Sequence, residues 1–348
     1  MANRFLPSRQ RATELRLAMA SALCVSLQSQ LAALGHASPG LEDAAADAVQ
    51  PAAASPSHFT AYFDLLALSQ GPGRQFGVEP EVALARGRAC WASLREAARS
   101  GSAGAVPAPQ VVTLGVPYFS AAEQQALLRW WDTEPDNTMA LQAVSAADLQ
   151  RGRALVAQAL QMLQRAAPEL FDELSRILQQ VVLARAGADC RLEFGGVSSF
   201  AAWGAIGINV AVHTDWPHVY KTLVHECGHL VLFALAREQP LVLNPPEERL
   251  SSPLREDLRP LDGIYHAAFV SAREALALEA CLQWHEAQAP TGGADDTALL
   301  ASLLEDSVLA FWDCCAQLQQ HGQLAPLGAR ILHDAQAYMR EAFEVQTP

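Results

Sequence analysis

Two histidines stand four residues apart around a glutamate in the run Leu223-Val224-His225-Glu226-Cys227-Gly228-His229-Leu230-Val231-Leu232. On a helix this spacing sends both imidazoles from one face, one turn apart, where they can grip a single metal ion. Glu226 lies about 100° round from His225 and can reach a metal-bound water or the surroundings of a ligand. The flanking residues are apolar almost all round, so the helix should be buried. Burying two histidines and a glutamate there without partners would be costly, and a metal removes that cost. The alternative is a core or capping histidine pair with no metal.

A third ligand must come from elsewhere in the chain. Leu232 and Leu235 occupy the positions where the extended HExxHxxGxxH pattern has Gly and His, so the sequence is not of the metzincin type. A later helix offers two donors. His266 stands near its start, after Arg259-Pro260-Leu261-Asp262-Gly263-Ile264-Tyr265, and Glu274 lies two turns further on. Residue chemistry leaves His266 and Glu274 both open as the third ligand. Arg273 returns to the face of His266 after seven residues, and Arg259 precedes the helix. Either could hold the carboxylate of a cosubstrate, although Arg273 could equally form an ordinary ion pair. The segment Gly204-Ala205-Ile206-Gly207-Ile208-Asn209 reads as a strand. At a sheet edge, Gly204, Gly207 and Asn209 would suit an extended peptide added by backbone pairing; inside a sheet they would be structural. Cys227 falls on the wrong helix face for the same metal.

These residues must be positioned by a largely helical chain. Helical periodicity is plain at about 10–35, 80–100, 120–133 and 146–184, and Ala and Leu dominate. Glycines and alternating Ile and Val over Cys190–Val212 predict one or two strands. Helix follows at Val219–Ala236, with Asp215 as its cap and Pro217 in its first turn. Five prolines make 238–262 an irregular excursion. Helices return at about 264–287, 297–321 and 326–343. The expected fold is mainly α with a small β-sheet (α+β), carrying a zincin-like HExxH helix. The expected division is a helical region over 1–187, including a Pro/Ala-rich flexible loop over 36–57, and a metal-binding region over 188–348.

Composition narrows the partners. Net charge is −13, and the chain has 24 cationic residues, of which Lys221 is the one lysine. No basic run suits nucleic acid, and an acidic chain is repelled by an anionic membrane surface. The seven cysteines are odd in number and form no CxxC, which reads as buried thiols in a reducing, cytoplasmic setting. Leu15, Met19, Leu23, Leu27, Leu31 and Leu34 keep helical spacing through the N-terminal apolar stretch, which favours an amphipathic helix over a signal peptide.

The combination LVHECGHLVL followed by RPLDGIYHAAFVSAR resembles the HExxH-motif peptide-modification proteins of bacterial ribosomal-peptide (RiPP) gene clusters. The resemblance is sharp over about 200–275 and softer over HGQLAPLGARIL near the C-terminus. It implies an iron(II)/2-oxoglutarate-dependent dioxygenase that uses O2 to hydroxylate a side-chain β-carbon of a precursor peptide. It implies iron on His225, His229 and His266, with Arg259 and Arg273 as carboxylate holders. Glu226 matches the motif, and its role in an oxygenase is left open. Two other classes compete on the residues alone. One is a zinc metallopeptidase with Glu226 as general base; the other is a non-catalytic helical peptide-binding protein.

Overall fold

The computed structural model describes residues 3–35, 54–71, 76–99, 108–132, 138–191, 194–252, 255–288 and 294–343. Among them are ten α-helices and seven short strands. The architecture is mainly α with a small sheet, as the composition and periodicity predict. No helix among the described residues is long and apolar enough to cross a membrane.

The chain divides into two units, and the division is not at residue 187 as expected. One unit comprises 10–154 and 175–214; the other comprises 1–9, 155–174 and 215–348. The sheet is the reason. Strands β1 (Gln110–Thr113), β2 (Leu141–Ala143), β3 (Gln180–Ala186), β4 (Gly196–Ser198) and β5 (Ala205–Asn209) form one five-stranded sheet, so the strands beyond 187 are tied to residues far before it. Strands β1, β3 and β5 run parallel, while β2 and β4 pair antiparallel with β3 and β5.

Helix was expected to continue to about 184. It ends instead at Ile177, and Gln180–Ala186 is the central strand β3. Val181, Val182, Leu183 and Ala184 are all fully buried. A strand covered on both faces reads as an unbroken apolar run without alternation, which periodicity cannot separate from a buried helix.

The sheet-bearing unit also holds α1 (Arg9–Ala33, from its second residue), α2 (Pro56–Ser69), α3 (Pro80–Arg99) and α4 (Ala121–Trp131). Leu15, Met19, Leu23, Leu27 and Leu31 of α1 are buried, as the helical spacing predicts. Most of the Pro/Ala-rich loop expected over 36–57 lies outside the described residues, and Pro56 already opens α2.

The second unit is helical. It contains α7 (Trp216–Leu235), α8 (Leu261–Gln288), α9 (Ala294–His321) and α10 (Pro326–Phe343). The segments 155–174 come from α5 (Ala146–Ala166) and α6 (Pro168–Ile177). The Pro-rich excursion is not wholly irregular. It folds back as a two-stranded hairpin, β6 (Arg249–Ser252) with β7 (Arg255–Pro260), which delivers the chain to α8. Two buried tyrosines lock the helices: Tyr220 Oη donates to Ala277 O, and Tyr265 Oη donates to Gly328 O, both at 2.8 Å. Gly228 lets α7 and α8 approach, because a Cβ there would stand 3.1 Å from Val270 Cγ1.

Candidate metal centre

Asp215 caps α7 as expected: its side chain accepts from His218 N at 3.0 Å, and Pro217 sits in the first turn. The helix is then free to run through the HExxH segment, and its periodicity places His225 and His229 together against α8. Their rings stand 4.9 Å apart between centroids, at 76°. Their Nε2 atoms are 3.2 Å apart. Two imidazole nitrogens each about 2.1 Å from one ion at roughly 100° would be separated by about this distance.

The other ring nitrogen of His225 is anchored. His225 Nδ1 lies 2.5 Å from Glu274 Oε1, and the Glu274 side chain is only 5% exposed. Ser307 Oγ on α9 donates to Glu274 Oε2 at 2.7 Å, and Lys221 Nζ lies 3.6 Å from the same oxygen. A ligating histidine typically donates its remote N–H to just such a carboxylate. Both Glu274 oxygens are therefore engaged with protein groups.

His266 stands on the far side of His229. Its Nδ1 is 3.0 Å from His229 Nδ1, and the two rings stack at 5.2 Å. Phe233, one turn after His229, lies against both, with centroids at 6.1 Å from His229 and 5.2 Å from His266. His266 Nε2 is 4.0 Å from Asp262 Oδ2. The contacts of His229 to its two neighbours thus use opposite ring nitrogens. Among the described residues no three His, Cys, Asp or Glu side chains converge on one point. The donors fit a metal at the two Nε2 atoms of His225 and His229; His266 meets His229 through the other ring nitrogen and does not converge with that pair.

The electrostatics follow from burial and neighbours. Burial opposes charge on His225, but the hydrogen bond and charge of Glu274, with Glu226 in support, raise its pKa overall. Burial, then the charges of His225 and His266, push His229 well below the ordinary imidazole value. His266 is also lowered, mainly by burial. Burial alone would raise Glu274, yet His225, Lys221 and Ser307 together lower it and keep it ionised. With Glu274 ionised and each ring neutral, one proton arrangement satisfies every contact. His225 donates to Glu274, His229 donates from Nε2 to His225 Nε2, and His266 donates from Nδ1 to His229 Nδ1. A metal held by both Nε2 atoms would require the other neutral tautomer of His229, with its proton on Nδ1 and His266 Nδ1 accepting from it.

The remaining candidates fall elsewhere. Glu226 is buried on α7, and its charge acts on His225. Cys227 is fully buried and its thiol is pushed far up by burial and by Glu226, which removes it as a nucleophile. Arg273 is not a free anion holder. Its guanidinium lies 2.7 Å from Glu173, both side chains are 1% exposed, and the rings of Phe5 and Phe269 flank it. Arg259 is half-buried at the end of β7, just before α8.

The strand expected to bind peptide is not an edge. β5 pairs with β3 on one side and β4 on the other, and it belongs to the sheet-bearing unit. Gly204 has φ +96° and its carbonyl accepts from Gln179 N and Gln180 N; a Cβ on Gly207 would meet Val197 Cγ1 at 2.6 Å. Asn209 is buried, donates to Phe194 O and accepts from Ala211 N. All three residues are used within their own unit.

Sequence reasoning missed Lys221, Phe233 and Ser307. Lys221 and Phe233 carried a legible signal, since each lies four residues from a motif histidine on the same helical face. Ser307 carried none, being brought in by α9 alone. No protein-family model matches this sequence, and no curated protein matches it.

Proposed function

We propose that this protein is an iron(II)/2-oxoglutarate-dependent dioxygenase that hydroxylates a β-carbon in a ribosomally made precursor peptide. The observation that carries the metal part is the pair of Nε2 atoms 3.2 Å apart, backed by a buried carboxylate on His225. The reaction class rests on the resemblance carried by LVHECGHLVL and RPLDGIYHAAFVSAR. His225 and His229 would hold the iron through Nε2; the resemblance adds His266, whose ring would have to turn away from His229 Nδ1 to reach the same ion. Bound there, iron(II) would supply the O2 chemistry that couples decarboxylation of 2-oxoglutarate to insertion of one oxygen into a C–H bond, leaving succinate and CO2.

The chain's own residues do the rest. Glu274 fixes the orientation of His225. Phe233 covers His229 and His266 with an apolar ring and keeps water from that side. Arg259 is the remaining candidate for the far carboxylate of 2-oxoglutarate, since Arg273 is committed to Glu173.

The test needs no known substrate. Purified protein loaded anaerobically with iron(II) and 2-oxoglutarate should develop a weak visible absorption band, and admission of O2 should yield succinate. With a peptide substrate, each event should add one oxygen mass. Peptide fragments, activity with zinc alone and its loss in Glu226→Gln would assign a metallopeptidase instead. Wild-type properties in His225→Ala would assign a binding protein.

A further inference from the structure

We infer that Glu274 is a positioning residue and not a ligand, and that Ser307 and Lys221 hold it so that His225 presents a bare Nε2 to the metal. The inference deepens the metal reading above and rests on it. Three elements meet at one carboxylate: α7 supplies His225 and Lys221, α8 supplies Glu274, and α9 supplies Ser307. Glu274 Oε1 is occupied by His225 Nδ1 at 2.5 Å, and Oε2 by Ser307 Oγ at 2.7 Å with Lys221 Nζ at 3.6 Å. A carboxylate so engaged has no oxygen turned to a second cation. A buried carboxylate is tolerated only with such partners, so Ser307 and Lys221 are what permits it to sit behind His225.

The consequence for His225 is geometric. A neutral imidazole carries one N–H, and a carboxylate 2.5 Å from Nδ1 places it there. The lone pair is then on Nε2, which faces His229 Nε2 at 3.2 Å. Without Glu274 the ring can take either tautomer and turn about its bond. Lys221, the one lysine of the chain, stands one turn before His225 on the same face and contributes charge without entering the metal position.

The test uses the full chain and cobalt(II) as probe, with a parallel measurement on metal-free protein. Wild type should bind one cobalt per chain, and 15N-labelled histidine spectra of the metal-free protein should report His225 protonated on Nδ1. Glu274→Ala should weaken cobalt binding about 10–100-fold while leaving the cobalt absorption spectrum unchanged, and the His225 tautomer should become mixed. Glu274→Gln keeps an acceptor oxygen and should restore most of the affinity. Lys221→Met should weaken binding by less, and so should Ser307→Ala; Ser307→Thr, which keeps the hydroxyl, should bind as wild type. An altered cobalt spectrum in Glu274→Ala would make Glu274 a ligand and overturn the inference. Wild-type affinity in that variant would overturn it too. Absence of cobalt binding by wild type would instead remove the metal reading, and an Nε2-protonated His225 would refute the positioning claim independently of any metal.

Discussion

Arg273 and Glu173 form an ion pair at 2.7 Å with both side chains 1% exposed, and the pair is clasped by the N-terminal segment. Phe5 packs its ring over the guanidinium and against Phe269, while Ser8 N donates to Glu173 Oε2 at 2.8 Å. A buried pair broken on one side leaves an uncompensated charge, which costs about 3–5 kcal/mol. Arg273→Met should therefore lower stability by about that amount in denaturant unfolding. The fraction that remains folded should need no more 2-oxoglutarate than wild type, whereas Arg259→Ala should raise the requirement. Wild-type stability in Arg273→Met would show that the pair is not structural.

Gly228 lies between the two motif histidines and faces Val270 across the α7–α8 contact. Ala is favoured over Gly within a helix by about 1 kcal/mol, but crowding a packed contact costs about 1–3 kcal/mol. Gly228→Ala should thus change stability little while pushing α8, which carries His266 and Glu274, away from α7. Metal affinity should fall, and Val270→Ala in the same chain should recover it. Failure of the double variant to recover would place the defect elsewhere.

His225→Ala and His229→Ala should each abolish stoichiometric metal binding, measured by equilibrium dialysis. His266→Ala should weaken iron binding by more than the roughly 10–100-fold that loss of an outer partner costs. If iron affinity survives His266→Ala intact, the third position belongs to another group.

His58 makes stability depend on acidity through a separate route. It is buried near the start of α2, where Ser55 N donates to its Nδ1 at 3.1 Å, and burial pushes its pKa down to about 4 from 6.5. Between those values the unfolded chain binds a proton that the folded chain refuses. The stability held above pH 6.5 is therefore lost as pH falls toward about 4, a difference on the order of 3 kcal/mol for this group. His58→Gln should flatten the stability profile over that interval relative to wild type, read from denaturant midpoints. An unchanged slope would mean that His58 is protonated in the fold.

The metal pair was legible because it is local. His225 and His229 share a face whatever the rest of the chain does, since helical geometry over four residues needs no tertiary information. The same holds for the Asp215 cap and for the leucine stripe of α1. By itself, the sequence determined a mainly helical protein with an HExxH helix, and it brought His266 and Glu274 forward as partners.

What lies beyond one helix was decided by packing. His266 was the expected third ligand and Glu274 its alternative, and only the approach of α8 and α9 to α7 set Glu274 behind His225, through Ser307. Arg273 shares the helical face of His266 by spacing, yet a glutamate 100 residues earlier and the N-terminal Phe5 claimed it. Strand β3 was hidden because burial on both faces erases alternation, and pairing of β5 with β3 moved the unit boundary to residue 214. Periodicity reports which side of an element is buried. It does not report which distant residue covers that side, because this depends on contacts between elements that no local spacing encodes.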